Sequence, residues 1–278
     1  MPEINNFIFN CLEYLLLGII QGITEFLPIS SSAHLKVIPY LLGLNDPGIS
    51  ISASLQLGSS FAIIFYFRKE ISVIINSFFS ILKYREPLKD ENTKLATYIF
   101  LASIPIMLIG LLVKLFWINF FDSNFRSLFS IAIISIIMSL LLAASEIFGH
   151  KKKLFNDISF RDVLFLGISQ SLAIFPGVSR SGVTLTSALF SGIERRTAAR
   201  LSFLVGIPAI TISGFVELIT IYKTSSAIDA FPTIIGIIAA FLSSIMAIDL
   251  LLKFLAKNNT FIFVYYRLAF GVFILSIL

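Results

Sequence analysis

The chain has 278 residues, 57% of them hydrophobic and 13% charged, with a net charge of +5 and a mean hydropathy of +0.94. Soluble domains carry about 25% charged residues, so a soluble enzyme or binding module is excluded and an integral membrane protein is expected. The basic residues fall in short loops between apolar segments, where the positive-inside rule accounts for them without a nucleic-acid partner.

In chain order, residues 7–23 form an apolar helix that Glu25 and Pro28 interrupt before it spans comfortably, Pro28 by removing a backbone donor. A second short apolar segment, 34–44, follows three serines. Two half-length helices around a polar turn predict a re-entrant hairpin, tolerated at membrane depth only where protein or a watery cavity surrounds it. Residues 51–67, 95–116 and 128–148 are full spans. The loop 68–94 between the first two carries Lys69, Lys83, Arg85 and Lys89, and its apolar middle, 71–82, is expected to lie on the membrane surface. After the basic run His150-Lys151-Lys152-Lys153, segments 163–175 and 184–192 flank Pro176-Gly177 and predict a second hairpin. Segments 198–221, 231–255 and 261–278 complete six spans. The single cysteine, Cys11, cannot form an intrachain disulfide, and two histidines, His34 and His150, leave no His-rich metal site. No basic region precedes the first apolar segment, as a cleaved leader would require.

An internal repeat orders these segments. Gly18, Gln21, Phe26, Ser30 and Ser32 recur as Gly167, Gln170, Phe175, Ser179 and Ser181, all at an offset of 149, and Leu57-Gly58 aligns with Val205-Gly206 at 148. Each half is one hairpin plus three spans, and because three is odd the halves must insert with opposite topology. The expected fold is therefore an all-α polytopic membrane protein: six transmembrane helices plus two re-entrant helical hairpins in an inverted-topology repeat. It forms one membrane domain, 1–278, with halves 1–149 and 150–278. The loops 68–94, 150–161, 195–200 and 253–257 are basic and fall on one side, which should be cytoplasmic, leaving both termini outside.

The two hairpin tips then meet. The first supplies Glu25, Ser30, Ser31, Ser32 and His34; the second supplies Ser179, Arg180, Ser181 and Thr184. A membrane-buried arginine needs an anion, its fork of donors suits phosphate, and hydroxyls and half-helix N-termini add donors aimed the same way. Glu25 is placed to move a proton, His34 to act as acid, base or nucleophile, and Ser31 is the alternative nucleophile. Blander readings exist for each: serines in membrane helices often bond their own backbone, and a Glu25–Arg180 pair can simply tie two hairpins together. The clustering of acid, base, arginine and hydroxyls at two related turns favours a site. Glu217, Asp249 and Arg267 lie inside spans and are weaker candidates, expected to pair with one another or line the cavity, with a purely structural role preferred; Glu146 is expected to reach the interface.

QGITEFLPISSSAH and PGVSRSGVT resemble the two signatures of the undecaprenyl-diphosphatase, or bacitracin-resistance, family of bacteria. The resemblance covers the whole chain. It implies hydrolysis of undecaprenyl diphosphate to the monophosphate in the bacterial plasma (inner) membrane, recycling the carrier lipid for peptidoglycan synthesis and conferring bacitracin resistance. It places the family's essential glutamate, serine, histidine and arginine on Glu25, Ser31, His34 and Arg180, and its phosphate-contacting turn on Ser179, Ser181 and Thr184. Gln21, Ser30 and Ser32 complete the substrate-binding set. It also implies a divalent cation, Mg²⁺ or Ca²⁺, with Glu25 as the one obvious protein ligand and the diphosphate supplying most of the rest. Gln21 stands where many members carry Glu, and Ala33 where glycine is common. The partners implied are the isoprenoid diphosphate lipid and the bilayer, with a homodimer left open. The rival class is a lipid transporter or flippase, which the inverted repeat also suits.

Overall fold

The computed structural model of the chain describes residues 2–84, 91–116, 124–224 and 227–278. Among them it contains eleven α-helices and no strand: α1 (Pro2–Phe26), α2 (Ser31–Leu41), α3 (Gly48–Tyr66), α4 (Arg68–Tyr84), α5 (Glu91–Phe116), α6 (Leu128–Phe148), α7 (Phe160–Gln170), α8 (Arg180–Phe190), α9 (Arg195–Thr224), α10 (Ala227–Leu255) and α11 (Phe261–Ser276). The loop positions Arg85 and Lys89 lie outside the described residues.

Among the described residues, six helices are long and apolar enough to cross a membrane: α1 from Phe7 onward, α3, α5, α6, α9 and α10. The membership differs from the sequence expectation. α1 does not stop at Ile23 but runs to Phe26, because Glu25, expected to break it, finds Arg180 at 3.1 Å and stays inside the helix. The turn containing Pro28 ends it instead. Conversely α11 has only 16 residues. Segment 163–175 is not one helix either. α7 starts at a capping box in which Ser159 Oγ accepts from Asp162 N and Asp162 Oδ2 accepts from Ser159 N. It then tightens into a 3-10 turn, Ser171–Ile174, ahead of Pro176. The amphipathic stretch after α3 is helical as well, as α4.

α1 lies along α10 with little between the backbones. Phe7 stacks near Phe231 at one end. Further along, a Cβ on Gly18 would lie 2.2 Å from Gly236 O, and one on Gly22 would lie 2.5 Å from Ala240 O. On the other side of α10, Gly58 of α3 makes the same approach, 2.2 Å from Ile237 O for a Cβ. Small residues let membrane helices gain dispersion contacts where lipid offers no hydrophobic incentive to associate. At one end of the molecule several termini are tied by charge. Glu146, near the end of α6, accepts from Arg195 at the start of α9, from Thr260 N and Oγ1 ahead of α11 (3.2 and 2.8 Å), and faces Lys151 at 3.7 Å. Its side chain is buried among these partners. Arg200 meets Glu70 and Lys153 meets Asp162, each at 3.0 Å. Ser244 and Ser59 join α10 to α3 in the interior at 2.9 Å.

Candidate active site

Two turns carry the polar residues singled out from the sequence. Residues 27–29 lead from α1 to Ser30, at φ 76° and ψ 97°, and residues 175–178 lead to Ser179, at φ 71° and ψ 110°. Both are non-glycine residues at positive φ, a strain of about 1–3 kcal/mol that the surroundings must hold in place. Each serine then caps the helix that follows: Ser30 Oγ accepts from Ala33 N at 3.4 Å, and Ser179 Oγ accepts from Gly182 N at 3.1 Å. Two residues on, the hydroxyls cross between the turns. Ser32 Oγ accepts from Gly177 N at 3.2 Å, and Ser181 Oγ donates to Glu25 O at 2.9 Å.

Ser31 and Arg180 are the first residues of α2 and α8, and they hold the two oxygens of one carboxylate. Ser31 Oγ donates to Glu25 Oε2 at 2.8 Å, and Arg180 Nη2 donates to Glu25 Oε1 at 3.1 Å. Gln21, one helical turn before Glu25, donates from Nε2 to Oε2 at 2.9 Å. Arg180 Nη1 also donates to Ser202 O at 3.1 Å. The side chains of Glu25 and Arg180 are only 5% and 8% exposed. Little water screens the pair, and removing one partner would leave the other as an uncompensated charge. Ser31 is half-buried and Ser32 exposed, so the cluster opens to the outside of the protein on the α2 side. The helix N-termini at Ser31 and Arg180 add the positive ends of their dipoles.

His34 belongs to the same first turn but not to the carboxylate network. Its Nδ1 lies 2.7 Å from Ser30 O, a carbonyl that only accepts, so Nδ1 carries the proton. Nε2 therefore accepts from the Tyr266 hydroxyl at 2.6 Å. The imidazole stacks on Phe270 with centroids 4.4 Å apart and planes at 3°. Thr184 is likewise not free: its Oγ1 donates back to Arg180 O at 2.7 Å and bonds Ser202 Oγ, and it is fully buried. The structure thus brings together Gln21, Glu25, Ser30, Ser31, Ser32, Ser179, Arg180 and Ser181, and turns His34 toward α11 and Thr184 toward its own backbone.

Tyr266 and Arg267, next to each other on α11, complete the surroundings. Arg267 Nη2 donates to Gly177 O at 2.7 Å, and Nη1 to Val178 O at 3.1 Å and Pro28 O at 3.3 Å. The expected pairing of Arg267 with Glu217 or Asp249 does not occur. Glu217 accepts from Ser50 at 2.9 Å and faces Lys114 at 3.9 Å, while Asp249 pairs with Lys253 at 2.6 Å and accepts from Tyr66 at 3.1 Å. Arg267 is singled out in the sequence by its charge inside an apolar span, but not as part of this site. Tyr266 carries no such signal.

Residues 14–273 match the family model described as bacitracin resistance protein BacA. A Prochlorococcus marinus (strain NATL1A) protein named undecaprenyl-diphosphatase is 67% identical over 279 aligned residues, covering 100% of both chains. Proteins of the same name from Parasynechococcus marenigrum (strain WH8102) and Synechococcus sp. (strain CC9902) are 48% and 47% identical. Those alignments cover 96% and 94% of this chain and 93% and 92% of theirs. On this similarity from end to end, the chain belongs to the bacitracin resistance protein BacA family.

Proposed function

We propose that the chain is a membrane phosphatase that hydrolyses undecaprenyl diphosphate to undecaprenyl phosphate and inorganic phosphate, the reaction its relatives are named for. The observation that carries this at the level of residues is the shared carboxylate: a hydroxyl on one helix N-terminus and a guanidinium on the other, both held by Glu25. The isoprenoid tail lies along lipid-facing grooves and the diphosphate enters between the turns. Arg180 exchanges Glu25 for a phosphate oxygen, to which its planar fork is better matched. That exchange releases Glu25 to take the proton of the nucleophile.

The geometry favours Ser31 as that nucleophile. Its Oγ–H already points at Glu25 Oε2, whereas the free lone pair of His34 is covered by Tyr266. Ser31 Oγ bonds to the terminal phosphorus, the bond to the bridging oxygen breaks, and lipid monophosphate leaves. Glu25 passes the Ser31 proton to the departing monophosphate and is free again when water attacks the phosphoserine. It returns the water's proton to Ser31 Oγ as the phosphoserine P–O bond breaks. A water held by Ser31 would use the same proton path directly. Arg180 and the turn hydroxyls stabilise the charge on the transferred phosphoryl. His34, fixed as one tautomer, keeps Ser30 in its strained cap through the bond to Ser30 O.

The donor set fits a hard divalent cation such as Mg²⁺ or Ca²⁺ in part. Among the described residues no three of His, Cys, Asp and Glu converge. Glu25 is nevertheless accompanied by Gln21 Oε1, a buried acceptor with no partner. Glu25 and Gln21 would supply two oxygen ligands, with diphosphate and water supplying the others. A bound ion would supply neutralisation of phosphate charge.

We also read the fold as an inverted-topology repeat with two re-entrant hairpins, in one domain embedded in the bacterial plasma membrane with the basic end cytoplasmic. Two features support this. α1 runs beside α10, with Gly18 against Gly236 and Gly22 against Ala240, but turns at Leu27 while α10 continues to Leu255. α7 packs Gly167 on Ala102 and ends at Gln170, while α5 continues to Phe116. Neither α1 nor α7 reaches the far end of its neighbour.

The test is phosphate release from undecaprenyl diphosphate by detergent-purified protein, with the lipid product identified. One phosphate per lipid is expected. Absence of release, with lipid still crossing reconstituted vesicles, would favour a transporter. A radiolabelled phosphoenzyme should map to Ser31; a label on His34 would reassign the nucleophile.

A further inference from the structure

We infer that Arg267 is a positioning residue of this site: its guanidinium holds the carbonyls of both turns back, so that the helix N-termini face the incoming phosphate. The fork spans equivalent points of the repeat. Nη1 reaches Pro28 O and Nη2 reaches Gly177 O, positions related by the same offset of 149 that relates Ser30 to Ser179. A third bond runs to Val178 O at 3.1 Å. That carbonyl belongs to the same peptide as the Ser179 N–H, which has no protein partner among the described residues. Drawing the oxygen toward Arg267 therefore turns the N–H away from that guanidinium. α8 rests directly on the group: a Cβ on Gly182 would lie 3.0 Å from Arg267 Nη1. Ser179, at φ 71°, follows Val178 directly, and Ser30, at φ 76°, lies two residues after Pro28.

Charge points the same way. The fully charged side chains that are buried among the described residues are Glu25, Glu146 and Arg267. Glu25 has Arg180 and Glu146 has Arg195, but Arg267, 1% exposed, has no anion within ion-pair distance among the described residues. A guanidinium in such a place is costly unless something balances it. Carbonyl dipoles do so in part. Because Glu25 already cancels Arg180, the surplus positive charge of the site is that of Arg267, and an anion seated between the turns completes its balance. It acts through the backbone of Pro28, Gly177 and Val178 and does not itself touch the substrate.

The activity readout rests on the phosphatase reading; the binding readout does not. Full-length Arg267→Met and Arg267→Lys proteins would be purified in detergent and compared with wild type. The comparison covers thermal unfolding, stabilisation by inorganic pyrophosphate, and kcat and KM on undecaprenyl diphosphate. Arg267→Met is expected to lose about 100-fold in kcat/KM, through a fall in kcat together with a rise in KM, and to lose the pyrophosphate stabilisation that wild type shows. Arg267→Lys, which keeps the charge but cannot fork, should recover part of both. Wild-type kcat and pyrophosphate stabilisation in Arg267→Met would overturn the inference, as would a rise in KM alone. Failure of both variants to accumulate would assign Arg267 to folding alone and would also overturn it. If wild type itself releases no phosphate, the phosphatase reading falls, while pyrophosphate stabilisation still decides the role of Arg267.

Discussion

Three donors converge on the two oxygens of Glu25, so this carboxylate is where substitution should be felt first. Glu25→Gln keeps the shape but removes the proton acceptor and leaves Arg180 buried beside a neutral amide. Phosphate release should fall by about 10²–10³-fold with folded protein still in the membrane. Ser32→Ala, at an exposed hydroxyl, should fall less than tenfold by the same assay; equal losses would mean that Glu25 has no special part. Glu25, Ser31 and Arg180 were readable in the sequence because a charge or a hydroxyl cluster inside an apolar stretch needs a partner. What the residues touch was less readable. The Thr184 hydroxyl had two outlets, ligand or its own helix carbonyl, and it takes the carbonyl. Tyr266 reaches His34 across 232 positions, and a tyrosine near the end of a span has several ordinary reasons to be there.

At the scale of elements, the seam between α1 and α10 depends on backbone approach rather than side-chain volume. Gly18→Ala would place a Cβ 2.2 Å from Gly236 O, a backbone atom that cannot move aside, and should lower stability by about 1–3 kcal/mol. Gly110→Ala, on α5 with no atom within 4 Å of its Cβ position, is the control and should not lower the unfolding temperature. Equal behaviour of the two would remove the seam from the packing argument. Helix identities were legible from apolar length, as was the broken character of the segments around Pro28 and Pro176. The ends of α1 and α11 were not. Whether Glu25 terminates a helix depends on whether a counter-charge arrives from 155 positions away. Local propensity contains no information about that. The second helix of each hairpin was expected from 34 and 184; Ser30 and Ser179 cap these helices and start them at Ser31 and Arg180.

For the whole molecule, the basic end and the proposed inverted arrangement make a directional prediction. In a background with Cys11 replaced by Ser, Asn45→Cys lies just before α3, and Asn258→Cys lies between α10 and α11; both positions are exposed. An impermeant maleimide should label position 45 in intact cells and position 258 only after permeabilisation. The reverse pattern would turn the molecule over and place its basic end outside. The repeat itself was visible as an offset, but the joint it forms was not. Ser32 bonds the second turn, Ser181 bonds the first, and α11 clasps both through Arg267 while Tyr266 covers His34. That last clasp bears on the order in which a ribosome delivers the parts. Every other member of the cluster, from Gln21 to Ser202, has been synthesised and can be in the bilayer before Tyr266 and Arg267 emerge. A chain stalled after α10 would hold its serines, its glutamate and its first arginine, yet its two turns would still lack the fork that joins them. Competence therefore arrives late in synthesis, and a prematurely released fragment would remain in the membrane without a finished site.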